Sequence, residues 1–133
     1  MPYDLTDAEF HALVESAIGR LPAEYRQTIA DEVPVRVESR PSRRLLREMG
    51  MAEDELLLGL FEGPNREELA AQLVGAGGGE GIVPARITLF KQDLEDACSS
   101  RDEMAEEVRV TLFHELGHYF GLDEDDLDHL GFA

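Results

Sequence analysis

The sequence is poor in cysteine and in basic residues, and it contains no long apolar run. Its single cysteine, Cys98, excludes an internal disulfide and fits a reducing compartment. No apolar stretch is long enough to span a bilayer. The acidic N-terminus lacks the basic-then-apolar pattern of a signal peptide. We therefore expect a cytoplasmic protein with no membrane partner.

The shortage of basic residues leaves the chain strongly anionic. Twelve bases face 29 acids, which gives a formal net charge of −17. Such a charge repels nucleic acid and anionic membrane surfaces, and it attracts basic peptides or proteins. Most of these acids are typical of a solvated, soluble surface. The length of 133 residues and the 43% apolar content predict a single globular domain over residues 1–133.

The most informative motif in the sequence is His114-Glu115-Leu116-Gly117-His118, which Gly121 extends to HExxHxxG. A helix brings residues four apart onto one face, with about 5–6 Å between their Cβ atoms. Two imidazoles at that spacing can bind a single Zn²⁺ ion. Glu115, one position along, can act as general base on a water that the metal activates. The motif therefore predicts a hydrolytic zinc site.

The residues around the motif argue against an accidental match on a polar helix. They are apolar on several faces: Val108, Val110, Leu112, Phe113, Leu116, Tyr119 and Phe120. A helix that is apolar nearly all round is normally buried, and buried histidines need partners. A bound metal would satisfy them. A hydrogen-bonded pair of core histidines without a metal is the alternative.

The third metal ligand must come from outside the motif, because zinc in hydrolases usually has three protein ligands and one open position. Gly121 permits a sharp reversal that returns the chain to the metal. Glu124 lies ten positions after His114, where the metzincin pattern has its third histidine. We predict His114, His118 and Glu124 as the ligands. The residues that compete with Glu124 are Asp123, Asp125, Asp126, Asp128 and His129.

The remaining pattern predicts a small sheet packed on the motif helix. The first helix is capped at Thr6 or Asp7, the motif helix begins near Arg101 behind Ser100 and ends near Gly121, and short helices are expected at residues 23–29, 91–98 and 125–130. Strands are expected at residues 33–37, 56–61 and 86–90. The segment 43–49 fits a short helix or a loop, and the glycine-rich segment 75–81 fits a loop.

Two expectations concern the cleft itself. The strand at residues 86–90 is expected to be the sheet edge beside the cleft, where an extended peptide can pair. The oxyanion that forms during hydrolysis needs a further polarising group. Tyr119, Tyr25 and Arg86 are candidates, and the pattern does not choose between them.

On these residues the chain resembles the small bacterial zincin-like metallopeptidases, the minimal zincins. The specific part of the resemblance is the segment from His114 to Glu124. Softer matches lie elsewhere: Leu21-Pro22, Val33-Pro34-Val35, Leu58-Gly59-Leu60-Phe61-Glu62-Gly63, Ile87-Thr88-Leu89-Phe90, Leu94-Glu95 and Glu106-Glu107-Val108-Arg109-Val110-Thr111. The resemblance implies a compact α+β zincin-like fold, with a small mixed sheet on the HExxH helix, and an acidic residue at the position of Glu124.

These observations predict a zinc-dependent metallopeptidase that acts on a peptide or protein substrate. The alternative is a non-catalytic, metal-stabilised domain that binds a partner protein. Glu115 favours the enzyme, because a purely structural site does not need a carboxylate there. Structural zinc sites also usually have four protein ligands rich in cysteine, which this chain lacks. A third hypothesis is an acidic protein that sequesters basic partners.

Overall fold

Seven helices and three strands make up the regular structure of residues 4–74 and 84–130, which are the residues that the computed structural model describes. In chain order they are α1 Asp7–Gly19, α2 Ala23–Asp31, β1 Val35–Glu38, α3 Arg43–Glu48, β2 Gly59–Glu62, α4 Arg66–Val74, β3 Arg86–Phe90, α5 Lys91–Ala97, α6 Arg101–Tyr119 and α7 Glu124–Leu130. This is the expected α+β architecture. The glycine-rich segment predicted at residues 75–81 lies outside the described residues.

The three strands form one mixed sheet in the order β1-β3-β2. β1 pairs with β3 in parallel, Val35 opposite Ile87, and β2 pairs with β3 antiparallel, Gly59 opposite Leu89. The prediction that β3 is an edge strand is therefore wrong. Ile87 and Leu89 are fully buried, and a strand this apolar is best satisfied by neighbours on both sides.

The strand expected at residues 56–61 is shorter than predicted. The strand begins only at Gly59 and lies at an edge of the sheet, and Leu56 is 43% exposed. Gly59 is needed where β2 meets α6. A Cβ at this position would lie 2.5 Å from Cγ2 of Thr111, closer than any van der Waals contact allows. The strand can therefore lie directly against the motif helix.

α6 begins and ends where the sequence predicts. The Ser100 hydroxyl accepts a hydrogen bond from the Glu103 N–H, which starts the helix. At its C-terminus Gly121 has a φ of 85°, and the Leu122 N–H donates to the Gly117 carbonyl at 2.9 Å. This left-handed ending turns the chain back along the helix.

Only one face of α6 is fully buried, so the expectation of all-round burial is wrong. The buried apolar side chains are Met104, Val108, Leu112, Leu116 and Tyr119, which recur at helical spacing. They belong to an apolar core that α1, β3 and α5 share, and Cys98 is also buried there. The two histidines lie beside this buried face and are partly accessible.

The short helices predicted after Pro22, after Phe90 and near the C-terminus are confirmed as α2, α5 and α7. The segment at 43–49 is a helix, α3. The sequence analysis missed α4, although Asn65 and Glu68 each accept a hydrogen bond from the other's backbone N–H. That reciprocal pattern marks a helix start. Within the described part of the chain, no helix combines the length and apolarity needed to cross a membrane.

Candidate metal centre

The two motif histidines lie one turn apart beside the buried face of α6, and their rings are in edge-to-face contact. The Nε2 atoms of His114 and His118 are 3.2 Å apart, and the ring planes are nearly perpendicular. Their side chains are 21% and 30% exposed, so the pair is partly accessible and does not lie in the core. The alternative of a pair of core histidines therefore does not describe their surroundings.

Glu124 reaches both histidines from the first turn of α7. Its Oε1 lies 3.2 Å from Nε2 of His114 and 3.1 Å from Nε2 of His118. The three donor atoms thus form a nearly equilateral triangle. Zinc holds tetrahedral ligands at about 2.0–2.1 Å, which separates their donor atoms by about 3.3 Å. The donor set present in the chain therefore fits a zinc ion.

The outer nitrogen of His118 supports this arrangement. Its Nδ1 lies 3.3 Å from the carbonyl oxygen of Leu122, which the left-handed turn at Gly121 brings back toward the helix. A carbonyl can only accept, so Nδ1 carries the proton and donates. That tautomer leaves the lone pair of Nε2 directed into the site, as a metal ligand requires.

Glu115 is the most buried member of the site, with 9% of its surface exposed. Its Oε1 accepts a hydrogen bond of 2.9 Å from the Phe61 N–H of β2, and its Oε2 lies 3.7 Å from Nε2 of His114. Burial raises the pKa of Glu115, while the two histidines and the Phe61 N–H act in the opposite direction. One possible ligand atom from each of Glu115, His114 and His118 lies within 4.8 Å of the other two.

The position of α7 brings Glu124 to the histidines. Asp123 and Asp126 each accept a hydrogen bond from the other's backbone N–H, at 2.9–3.0 Å, which caps the start of α7. Leu127, buried to 1% exposure, packs against Gly117 of the motif. A capped first turn and a buried anchor hold Glu124 between them.

Four of the residues that competed with Glu124 make other contacts or are exposed in the structure. The carboxylates of Asp123 and Asp126 form the cap, and Asp125 and His129 are exposed, with His129 Nδ1 3.0 Å from the Asp125 carbonyl. The side chain of Asp128 lies outside the described part of the chain. The Asp-x-x-Asp spacing that forms the cap is present in the sequence, so the cap could have been predicted from it.

Each of the three candidates for polarising an oxyanion has a contact elsewhere in the structure. Tyr119 lies on the buried face of α6, and its hydroxyl donates a hydrogen bond of 2.6 Å to Glu32. Tyr25 packs edge-on against Phe113, with ring centroids 5.2 Å apart. Arg86 pairs with Glu62 across the sheet at 3.5 Å. A different functional group, the Phe61 N–H that binds Glu115, was not predicted. A backbone donor cannot be recognised from the sequence.

Comparison with known proteins agrees with this geometry. The sequence profile of a family described as zincin-like metallopeptidase matches residues 30–132, which include the whole sheet and the motif helix. Comparison with curated proteins finds no significant match.

Proposed function

The chain belongs to the zincin-like metallopeptidase family, and from that premise we propose that it is a zinc-dependent peptidase. In this proposal His114, His118 and Glu124 bind the metal, and Glu115 is the general base. The observation that carries it is the triangle of donor atoms, with sides of 3.1–3.2 Å, formed by two imidazoles and a carboxylate. Nearest to this triangle lies a fourth group, Glu115, that is not needed to hold the ion.

Zinc, when bound, supplies a Lewis acid that makes water nucleophilic near neutral pH and polarises a carbonyl. The chain's own contribution is the placement of Glu115. Its carboxylate accepts the proton from the attacking water and later delivers it to the leaving amine. Burial opposes ionisation of Glu115, whereas a divalent cation beside it favours the carboxylate form.

The Phe61 N–H keeps Glu115 in position for that work. By binding Oε1 it fixes the carboxylate, so that Oε2 faces the histidine side of the cleft. A buried carboxylate with a single backbone donor has few other orientations available, because each would leave it without a partner. The edge strand β2 therefore supports the general base directly.

The same strand is the part of the sheet on which an extended substrate peptide can pair. We assign this role to β2 in place of β3, which is the central strand. The Leu58 carbonyl faces β3, where it accepts from the Phe90 N–H. By the alternation of a strand, the main-chain groups of Gly59 and Phe61 face the other way, toward the outer edge, where the Phe61 N–H is already bound to Glu115. Main-chain groups at such an edge give affinity for a peptide of any sequence.

Digestion of an unbiased peptide library by the zinc-loaded protein tests the proposal. Cleavage sites are read by mass spectrometry for the wild type, for Glu115→Gln and for Glu15→Gln, which changes an exposed residue on α1. Loss of the general base should reduce turnover roughly 10²–10⁴-fold. The zinc content of all three proteins should be equal, and Glu15→Gln should cleave at the wild-type rate.

Two results would contradict the proposal. Cleavage by Glu115→Gln at the wild-type rate would assign the activity to another mechanism or to a contaminant. If the zinc-loaded wild type cuts no peptide in the library, the non-catalytic, metal-stabilised binding domain becomes the better description of the protein.

A further inference from the structure

A stripe of acidic side chains leads into the metal centre along α6. Glu103, Glu107, Val110, His114 and His118 are spaced four, three, four and four residues apart, so they lie on one side of the helix. Neither Glu103 nor Glu107 has an ion-pair partner among residues 4–74 and 84–130. No ion pair therefore offsets these two carboxylates, which lie about two and three helical turns before His114.

The acidic stripe consists of Glu103 and Glu107, which lie about two turns and one turn of α6 before the residue that contacts the edge strand. Thr111 lies one helical turn after Glu107, and it is the residue that meets Gly59 of β2. A peptide paired on the outer edge of β2 passes Phe61 and then Gly59. Because Phe61 meets Glu115 and Gly59 meets Thr111, a peptide that continues beyond Gly59 in this direction approaches the turn of α6 that carries Glu107.

The metal centre does not neutralise the acidic stripe. A divalent cation bound by two neutral imidazoles and the Glu124 carboxylate keeps one positive charge, and the adjacent Glu115 carboxylate cancels it. Next to Glu124 on α7, the exposed Asp125 adds a further negative charge. Exposed acids on both α6 and α7 thus accompany a centre that is close to neutral.

The positive charges near α6 are placed on other faces or already paired. Arg20, Arg101 and Arg109 line a cavity of about 390 Å³ between α1 and α6. Arg109 is two residues from Glu107 and is thus on the opposite face of the helix, where it binds Glu106. Arg66 and Arg86 pair with Glu32 and Glu62. The field over the cleft is therefore negative, and it favours the approach of cations.

From this arrangement we infer that the substrate is a basic peptide segment, rich in lysine or arginine, and that Glu103 and Glu107 select for it. The inference rests on the proposed peptidase function. The main-chain edge of β2 binds peptides regardless of sequence, so the acidic stripe supplies the discrimination. A flexible lysine or arginine side chain can reach such carboxylates from an extended backbone.

Binding of labelled peptides to zinc-loaded Glu115→Gln tests the inference without cleavage. The probes are three peptides of equal length with the same dye, which alternate alanine with lysine, serine or glutamate. Fluorescence anisotropy should show binding of the lysine peptide, weaker binding of the serine peptide and none of the glutamate peptide. Raising NaCl from about 50 to about 300 mM should weaken the lysine complex, because exposed charges are then screened.

A matched pair of variants locates the effect. Glu103→Gln/Glu107→Gln in the same background should weaken binding of the lysine peptide roughly 4–25-fold, since one exposed ionic contact contributes about 2–5-fold. Glu15→Gln/Glu24→Gln makes the same change in net charge at exposed residues of α1 and α2, and it should have less than about a 2-fold effect.

The outcomes separate this inference from the proposal on which it rests. Equal weakening by the two variant pairs, or equal binding and cleavage of the three peptides, overturns the basic-substrate inference and leaves the peptidase function standing. Binding of the lysine peptide at the acidic stripe with no cleavage by the wild type overturns the peptidase function instead.

Discussion

Leu127 fills the space that a side chain on Gly117 would need. A Cβ built on Gly117 would lie 2.4 Å from Cδ2 of Leu127, a distance that real Cβ contacts do not show. Leu127 is buried to 1% exposure, so it has little room to move away. The glycine inside the motif therefore lets α7 pack closely on α6, and this packing brings Glu124 to His114 and His118.

The first prediction is that Gly117→Ala weakens zinc binding. Alanine is a better helix former than glycine by about 0.5–1 kcal/mol, so the substitution should not weaken α6 itself. A loss of zinc affinity would therefore be caused by the contact with Leu127. Titration with zinc against a competing chelator measures the effect. Leu127→Ala in the Gly117→Ala background makes room for the methyl group and should recover part of the affinity. Zinc binding by Gly117→Ala as tight as that of the wild type would contradict the prediction.

The second prediction concerns the metal ligands. His114→Ala and His118→Ala should lose zinc, and Glu124→Ala should weaken binding by about 10–100-fold or more. Asp125→Ala is the matched control, because it removes a neighbouring exposed carboxylate from the same turn. Elemental analysis after dialysis measures the zinc content. The assignment is wrong if Glu124→Ala keeps full affinity while Asp123→Ala, Asp128→Ala or His129→Ala loses it.

The third prediction is that Tyr119→Phe destabilises the metal-free protein. The Tyr119 hydroxyl donates to Glu32 at 2.6 Å, and Arg66 binds the same carboxylate at 2.8 Å. The Glu32 side chain is 37% exposed, which limits the loss in unfolding free energy to about 1 kcal/mol. Urea unfolding at neutral pH measures this difference between wild type and variant.

The effect of Tyr119→Phe should also depend on pH. The hydrogen bond from Tyr119, and then Arg66, lower the pKa of Glu32 in the folded protein. A lowered pKa stabilises the fold above the unfolded value of about 4.3, and this stability is lost as the pH falls through the folded value. The difference in unfolding free energy should therefore shrink between about pH 5 and pH 3. A constant difference across that range would contradict this explanation.

The fourth prediction is that Cys98 reacts slowly with alkylating reagents while the protein is folded. Burial, and secondarily Glu103 and Glu107, raise the pKa of Cys98 to about 11. At pH 8 only about one thiol in a thousand is then ionised, and the thiolate is the reactive form. Mass spectrometry after iodoacetamide treatment should show little modification in buffer and complete modification in urea. Equal rates in buffer and urea would contradict the burial of Cys98.

The local features of this protein could be predicted from the sequence, because they depend on residues within one or two helical turns. The HExxH spacing placed two histidines on one face. Ser100 and Gly121 marked the ends of the motif helix, and the distance from Gly121 singled out Glu124 among several acids. The same kind of signal, at Asp123 and Asp126, was present for the cap of α7 but was interpreted as a set of rival ligands.

Tertiary structure decided what depends on residues far apart in the chain. Whether β3 is central or at an edge is set by which strands pair with it, and β1 and β2 come from segments far earlier in the sequence. The hydrogen bond from Phe61 to Glu115 spans 54 residues, and it uses a backbone group that every residue except proline has. Side-chain patterns report local periodicity and burial. They do not report which backbone groups meet, so the support of the general base by the edge strand appears only in the folded chain.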